Sequence, residues 1–286
     1  MSSIQPIAYN RFNNKFYILN NVTTHNAKAF IDEDSYRKFK DFRKSDRTVK
    51  DLQRQGFALP IFKSKHHTGL FCDYLLEINR AYPPTSGEFS DDNFVNFCKV
   101  KVVHRRPYIR YDFEIPGQTV ILFHHKNYPF ADFEFNGVRY RWIKLSHTDL
   151  LNHMDYKFIL YELPRGKLTF LSESNRGTID NNHPLLGNFL GRKWFGTIKD
   201  KELQQLTTSK KIGQFDLTDR NLLGVKKGQF EINSDTCIKS IKDIPDDIML
   251  FLSMITLFKL EQDIADSRNK KRRNRNAMNA MNNNFM

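Results

Sequence analysis

The sequence predicts a mainly β (α+β) fold: a β-barrel wrapped around a buried hydrophobic C-terminal helix, with a helical N-terminal region. Three observations predict it. The chain carries 25 Phe and 11 Tyr among 286 residues, and aromatic side chains favour half-buried pleated surfaces. From Phe94 onward, apolar and polar residues alternate between turn signals, which is the period of strands. Near the C-terminus, Ile248–Leu260 is apolar on every face of a helix, and a helix without a polar stripe is buried in protein or in membrane. A helix enclosed on all sides needs wrapping, and strands are what the rest of the chain supplies.

The length allows one large domain or two small ones. Residues 32–55 read as a charged helix. Tyr36, Phe39 and Phe42 fall three apart, Val49 and Leu52 continue a weak stripe, and Gly56 and Pro60 end it. Residues 81–93 (AYPPTSGEFSDDN) form a loop broken by Pro83-Pro84 and Gly87. They are either a boundary to a separate N-terminal module or a surface loop within one domain. The organisation expected is therefore an N-terminal region 1–93, a barrel 94–266 with its central helix at 245–266, and a basic, disordered tail 267–286.

The strands are clearest at Phe130–Ile143. Phe133 and Phe135 alternate with Asp132 and Glu134, Asn136-Gly137 follows, and Val138, Tyr140 and Trp142 alternate with Arg139 and Arg141. Asn-Gly marks a two-residue hairpin. That turn sets Phe135 opposite Val138, Phe133 opposite Tyr140 and Ala131 opposite Trp142, with Glu134 facing Arg139 and Asp132 facing Arg141. One face is apolar and the other pairs opposite charges. Phe158–Leu163 and Lys167–Leu171 flank Pro164-Arg165-Gly166 as a second hairpin. Two near-copies, Gly213–Leu217 and Gly228–Ile232, each set an apolar pair two apart after a glycine.

The C-terminal helix has its own start signal: Asp243 before Pro245, then Asp246 and Asp247 in the first turn. Its expected core residues are Ile248, Leu250, Phe251, Leu252, Met254, Ile255, Leu257 and Phe258. Thirteen residues span about 20 Å, short of the hydrocarbon layer of about 30 Å, so length favours burial in protein. Lys270, Lys271, Arg272, Arg273 and Arg275 then suit the negative end of the helix.

Net charge is +13. Residues 267–286 supply six positive charges and no acid, which leaves +7 on the remainder. An excess of this size points to an anionic partner, a membrane leaflet or nucleic acid. Cys72, Cys98 and Cys237 are odd in number and form no CxxC pattern, as expected in a reducing compartment. Residues 1–31 lack the apolar core of a signal peptide. The expected location is cytoplasmic, with peripheral membrane or nuclear residence as variants.

Three stretches together resemble the fungal tubby C-terminal-like group, which shares a fold with tubby proteins and phospholipid scramblases. They are Pro245–Leu260 with the basic run Lys270–Arg275, the Phe133–Trp142 hairpin with Tyr140-Arg141-Trp142, and Tyr161-Glu162-Leu163-Pro164 leading into Gly166-Lys167-Leu168. The resemblance covers roughly residues 95–275. It implies a barrel around a hydrophobic helix, and peripheral membrane or phosphoinositide association instead of catalysis. Tubby proteins hold a head group with Lys and Arg at neighbouring strand positions. Arg139 and Arg141 fit that spacing, although Glu134 and Asp132 lie directly opposite.

Catalytic patterns are absent from the sequence: no GxxxxGK[ST], GxGxxG, GxSxG or HExxH occurs. His66-His67 and His124-His125 are adjacent and point to opposite faces of a strand. His147 and His153 have no evident third ligand. No cofactor is expected. The reading is a non-catalytic binding module, with an anionic lipid or a protein partner. The alternative is a nucleic-acid-binding protein in which Lys99, Lys101, Arg105, Arg106 and Arg110 form a groove and Tyr108 and Tyr111 stack bases. An enzyme assembled from distant strands would leave no signature of this kind.

Overall fold

The computed structural model describes residues 12–21, 24–41, 47–68, 72–105, 108–125, 130–148, 154–166, 169, 171, 209–220 and 225–283. Twelve strands close into one antiparallel barrel. In chain order they are β1 (Phe12–Asn21), β2 (Ala27–Phe30), β3 (Phe62–His66), β4 (Leu76–Ala81), β5 (Phe94–His104), β6 (Tyr108–Ile115), β7 (Gln118–His125), β8 (Phe130–Phe135), β9 (Val138–Thr148), β10 (Met154–Glu162), β11 (Lys210–Arg220) and β12 (Val225–Ser234). Each strand pairs with the next, and β12 pairs with β1 to remove the last free edge.

Helices α1 (Glu33–Asp41) and α2 (Arg47–Gln55) lie between β2 and β3, and the barrel holds the first part of helix α3 (Asp246–Asn283). All eight expected core residues are buried, together with Met249 and Leu260. A helix with side chains is about 10–12 Å across, so it fills a lumen that side chains from the strands alone would leave open. Phe133, Trp142 and Phe158 on the wall meet Phe251 and Phe258 on the helix at ring-centroid distances of 5.1–6.0 Å. The two hydroxyls within the apolar run are satisfied on the helix itself. Ser253 Oγ donates to the Met249 carbonyl at 2.7 Å and Thr256 Oγ1 to that of Leu252 at 2.9 Å. At the start of α3, Arg80 on β4 donates to Asp246 Oδ1 (2.9 Å) and to the Ile244 carbonyl (2.7 Å).

The hairpin register is the one the Asn136-Gly137 turn dictates, pair for pair. Asn136 and Gly137 both have positive φ, 51° and 74°, as a type I′ turn requires. The two near-copies also find their reason. They face each other across β11 and β12, with Phe215 opposite Phe230, Gly213 opposite Ile232 and Gly228 opposite Leu217. Each glycine makes room inside the wall: a Cβ at Gly228 would lie 2.4 Å from Phe215 Cζ, and one at Gly213 would lie 2.7 Å from the Glu231 carbonyl.

Several expectations need correction. Strands begin at Phe12, so β1–β4 from the N-terminal region are part of the barrel wall. The charged stretch 32–55 yields two nine-residue helices, α1 (Glu33–Asp41) and α2 (Arg47–Gln55); Phe42 lies outside the described residues. On α1, Tyr36 packs on Tyr17 (5.6 Å) and Phe30 (5.4 Å). Loop 81–93 joins β4 to β5, which pair with each other. The partner of β10 after β9 is β11, not Lys167–Leu171. Of that segment, Thr169 and Leu171 are not in a strand, and Lys167, Leu168 and Phe170 lie outside the described residues. Finally, α3 does not stop near Asp266. It runs on to Asn283, so most of the tail expected to be disordered is helical. No Gly or Pro follows Pro245 to break it. The basic run consequently sits in mid-helix, not at its negative end.

Candidate functional site

Three features meet where α3 leaves the barrel: a polar collar, a cavity and a cationic stripe. The collar arises where the apolar run gives way to Glu261-Gln262-Asp263 and the wall answers with polar residues at inward-facing positions. Val120 and Leu122 on β7 are followed by His124, and Tyr140 and Trp142 on β9 by Lys144. The Glu261 carboxylate accepts from the Tyr111 hydroxyl and lies 3.0 Å from His124 Nδ1. Lys144 Nζ donates to Gln262 Oε1 at 2.8 Å. On another side of the helix, Asn20 donates to Asp263, and His25 Nδ1 stands 4.0 Å from the same carboxylate.

The electrostatics follow from burial and pairing. Burial would raise the Glu261 carboxyl, but the charge and hydrogen bond of His124, the Tyr111 hydroxyl and the Lys144 ammonium reverse that and hold it below the usual range. Burial and the Glu261 charge push the Tyr111 phenol up. Burial lowers Lys144 against the opposing pull of Glu261 and Asp266. Tyr111, Glu261, His124, Lys144 and Gln262 thus form one network of contacting polar groups in which Glu261 is the central anion.

Beside the collar opens a cavity of about 230 Å³, walled by Phe158, Phe258 and Ala265 with His124, Lys144 and Glu261 at its rim. Beyond it, Arg268, Lys271, Arg272 and Arg275 are all exposed. Their spacing of i, i+3, i+4 and i+7 puts them on one helix face.

At the opposite mouth, cavities of about 260 and 510 Å³ share Glu162. The first is lined by Tyr140, Asp247 and Lys210, the second by Arg139 and Arg165. Tyr140 is pushed up to about 12 by burial and the Asp247 and Glu162 charges, and burial raises Asp247 as well. Crowded carboxylates make this mouth a poorer place for an anion.

The candidate residues from the sequence fall apart into different environments. Arg141 is 1% exposed and clamps Asp132, itself 0% exposed, through contacts of 2.6 and 2.8 Å. It belongs to the wall and offers no surface clamp. Arg139 stays partly exposed and pairs with Glu134 at 3.1 Å. Lys271, Arg272 and Arg275 are exposed; Lys270 and Arg273 lie on the helix, but their side chains lie outside the described residues. The base-stacking groove does not form. Tyr108 and Tyr111 are buried, Lys101 pairs with Glu114 at 2.6 Å, and Arg110 pairs with Asp112 at 2.6 Å. Arg105 is exposed, Arg106 lies outside the described residues, and the Lys99 and Lys101 ammonium groups sit over the Tyr74 ring. His67 lies 3.4 Å from Glu77, while the His147 side chain and His153 lie outside the described residues. Among the described residues no cluster of three His, Cys, Asp or Glu is arranged to hold a metal ion, and no helix is long and apolar enough to cross a membrane.

The collar was missed from sequence, although a signal for it exists. His124 and Lys144 each interrupt an inward-facing apolar series at the same end of their strands.

No curated protein and no solved structure matches the chain. A family model does: residues 11–268 match the family described as DIA1, a span that takes in all twelve strands and α3 as far as Arg268, and the chain belongs to the DIA1 family.

Proposed function

We propose that the protein is a non-catalytic binding module that attaches peripherally to an anionic membrane surface. The observation that carries this reading is the stripe Arg268, Lys271, Arg272 and Arg275, exposed on one face of a helix whose other half is locked inside a barrel. Each such cation near an anionic leaflet contributes about 1 kcal/mol, so four give about 4 kcal/mol, enough for reversible attachment. A firmly rooted helix holds the charges in one geometry, and the reducing cytoplasm, where anionic leaflets face the protein, fits the three free cysteines. The barrel around a buried helix is the architecture that the tubby-like resemblance implies, which supports the same reading. In this account Arg141 takes no part, and Arg139 is a secondary contact at most.

The test is retention on phosphatidylserine-containing vesicles compared with phosphatidylcholine vesicles across a salt series. The expected result is binding to the anionic vesicles alone, weakening as salt rises. The fourfold variant R268Q, K271Q, R272Q and R275Q should lose it while keeping its thermal transition. Absence of retention at low salt sinks the reading. Mixed-sequence oligonucleotides form the second arm. Tight binding there, with a steep salt slope and no vesicle retention, would move the stripe to a nucleic-acid role.

A further inference from the structure

We propose that the cavity beside the collar takes the end of one acyl chain of an anionic amphiphile, whose head group is held by Arg268 and Arg272. The inference rests on the membrane reading and deepens it, adding a single held lipid to a diffuse charge attraction.

The cavity is built for an apolar occupant. Phe158 and Phe258 lie parallel, 5.1 Å apart and inclined by 8°, and Ala265 leaves the third wall low. The polar residues that line it, His124, Lys144, Glu261 and Gln262, are engaged with one another and with Tyr111: Glu261 with Tyr111 and His124, and Lys144 with Gln262. At about 230 Å³ it falls just below the roughly 300–1,000 Å³ of sites that enclose a whole small molecule. It suits a chain end.

Charge complementarity names the other end of the ligand. Phe258, Ala265 and Arg272 are seven apart and share a helix face, and Arg268 stands three beyond Ala265. With about 1.5 Å of rise per residue, the two arginines lie about 5 and 10 Å along the axis from Ala265. An amphiphile whose tail lies against the phenylalanines therefore has its anion among guanidinium groups, which bind phosphate or carboxylate through paired donors. A neutral lipid leaves the arginines uncompensated, and a nucleic acid has no chain to place in the cavity.

Calorimetric titration of the full chain with a short-chain lysophosphatidate, held below its micelle concentration, tests the site. Glycerol 3-phosphate serves as the head group alone. The expected result is binding of lysophosphatidate, with glycerol 3-phosphate weaker by about tenfold or more. Ala265 is exposed, so Ala265→Trp fills the cavity from outside. It should weaken lysophosphatidate by about tenfold while leaving the thermal transition in place. Arg268→Gln with Arg272→Gln should weaken both ligand and vesicle binding. Ala265→Leu repeats the measurement if the tryptophan shifts the thermal transition. Unchanged affinity in the Ala265 variants, or equal binding of glycerol 3-phosphate, overturns the site. Loss of vesicle retention in the wild type with lysophosphatidate binding intact would sink the membrane reading and leave the cavity assignment standing.

Discussion

Residues Ile248–Leu260 and the residues that follow them to Asn283 form one helix, yet different forces hold the two halves helical. In the inner half the barrel wall touches every face, and no stripe of the helix needs to be polar. Outside, the described side chains beyond Ala265 are exposed, and helicity rests on the propensities of Ala, Met, Lys and Arg, with no Gly or Pro to oppose them. Nucleation is the costly step of helix formation. The packed half has already taken that step, so the outer half needs only propagation. A buried element can thus project an ordered, charged extension for little extra free energy. The order of that extension depends on the burial behind it.

An aspartate introduced into each half in turn should separate them most widely. Leu252→Asp places an unpaired charge among apolar side chains at a cost of several kcal/mol, against a total stability of about 5–15 kcal/mol. Loss of the cooperative denaturant transition is expected. Met278→Asp, at a site 68% exposed, should move the midpoint by no more than about 0.5 kcal/mol. Equal effects would mean that the inner half is not enclosed.

Two arginines sharpen the same contrast on one strand. Arg141→Ala strands Asp132 in the wall and should cost about 3–5 kcal/mol. Arg139→Ala removes a partly exposed pair and should cost no more than about 1 kcal/mol. Denaturant midpoints of the two variants decide it, and similar midpoints would contradict the burial of Asp132.

A smaller effect concerns pH. His125 is buried in the wall beside Phe130, and burial, with the His124 charge, pushes it down to about 3. Unfolded, it titrates near about 6.5. Between these values the unfolded chain holds the extra proton, so stability rises with pH through the window, is complete above it, and is lost as pH falls. His66, lowered by burial and by His25 and His67, acts in the same direction. Glu261, held below its usual range, extends the loss from the unfolded value of about 4.3 downward. His125→Phe should flatten the fall in melting temperature between pH 7 and 4; an unchanged profile would show that His125 does not carry it.

Much of the barrel was legible because local chemistry and long-range pairing agreed. Asn136-Gly137 and its alternating flanks set the Phe130–Ile143 register outright, and the absence of a polar stripe in Ile248–Leu260 called for a wrapping. The wrapping from β1–β4 was not legible, because strands such as Ala27–Phe30 and Phe62–His66 are too short to display a period. Lys167–Leu171 was misplaced as the partner of β10 because a turn signal such as Pro164-Arg165-Gly166 does not say which strand returns; the partner is β11, more than forty residues on. For the site, charge located the basic run, but the tail's Asn-rich composition hid its helicity. The burial of Asp132–Arg141 was invisible, since cross-strand pairing says which groups meet but not whether water reaches them. The collar depends on Tyr111, His124, Lys144 and Glu261 meeting across long separations, which a single sequence displays only as interruptions of apolar series.

Hydrogen exchange along α3 in detergent-free buffer reads the enclosure of the helix residue by residue. The amides of Met249–Leu260 should exchange only with global unfolding, while those beyond Arg268 exchange through local fraying many times faster. Uniformly fast exchange along the whole helix would contradict a core enclosed by twelve strands, and with it the rooted stripe on which the binding role depends.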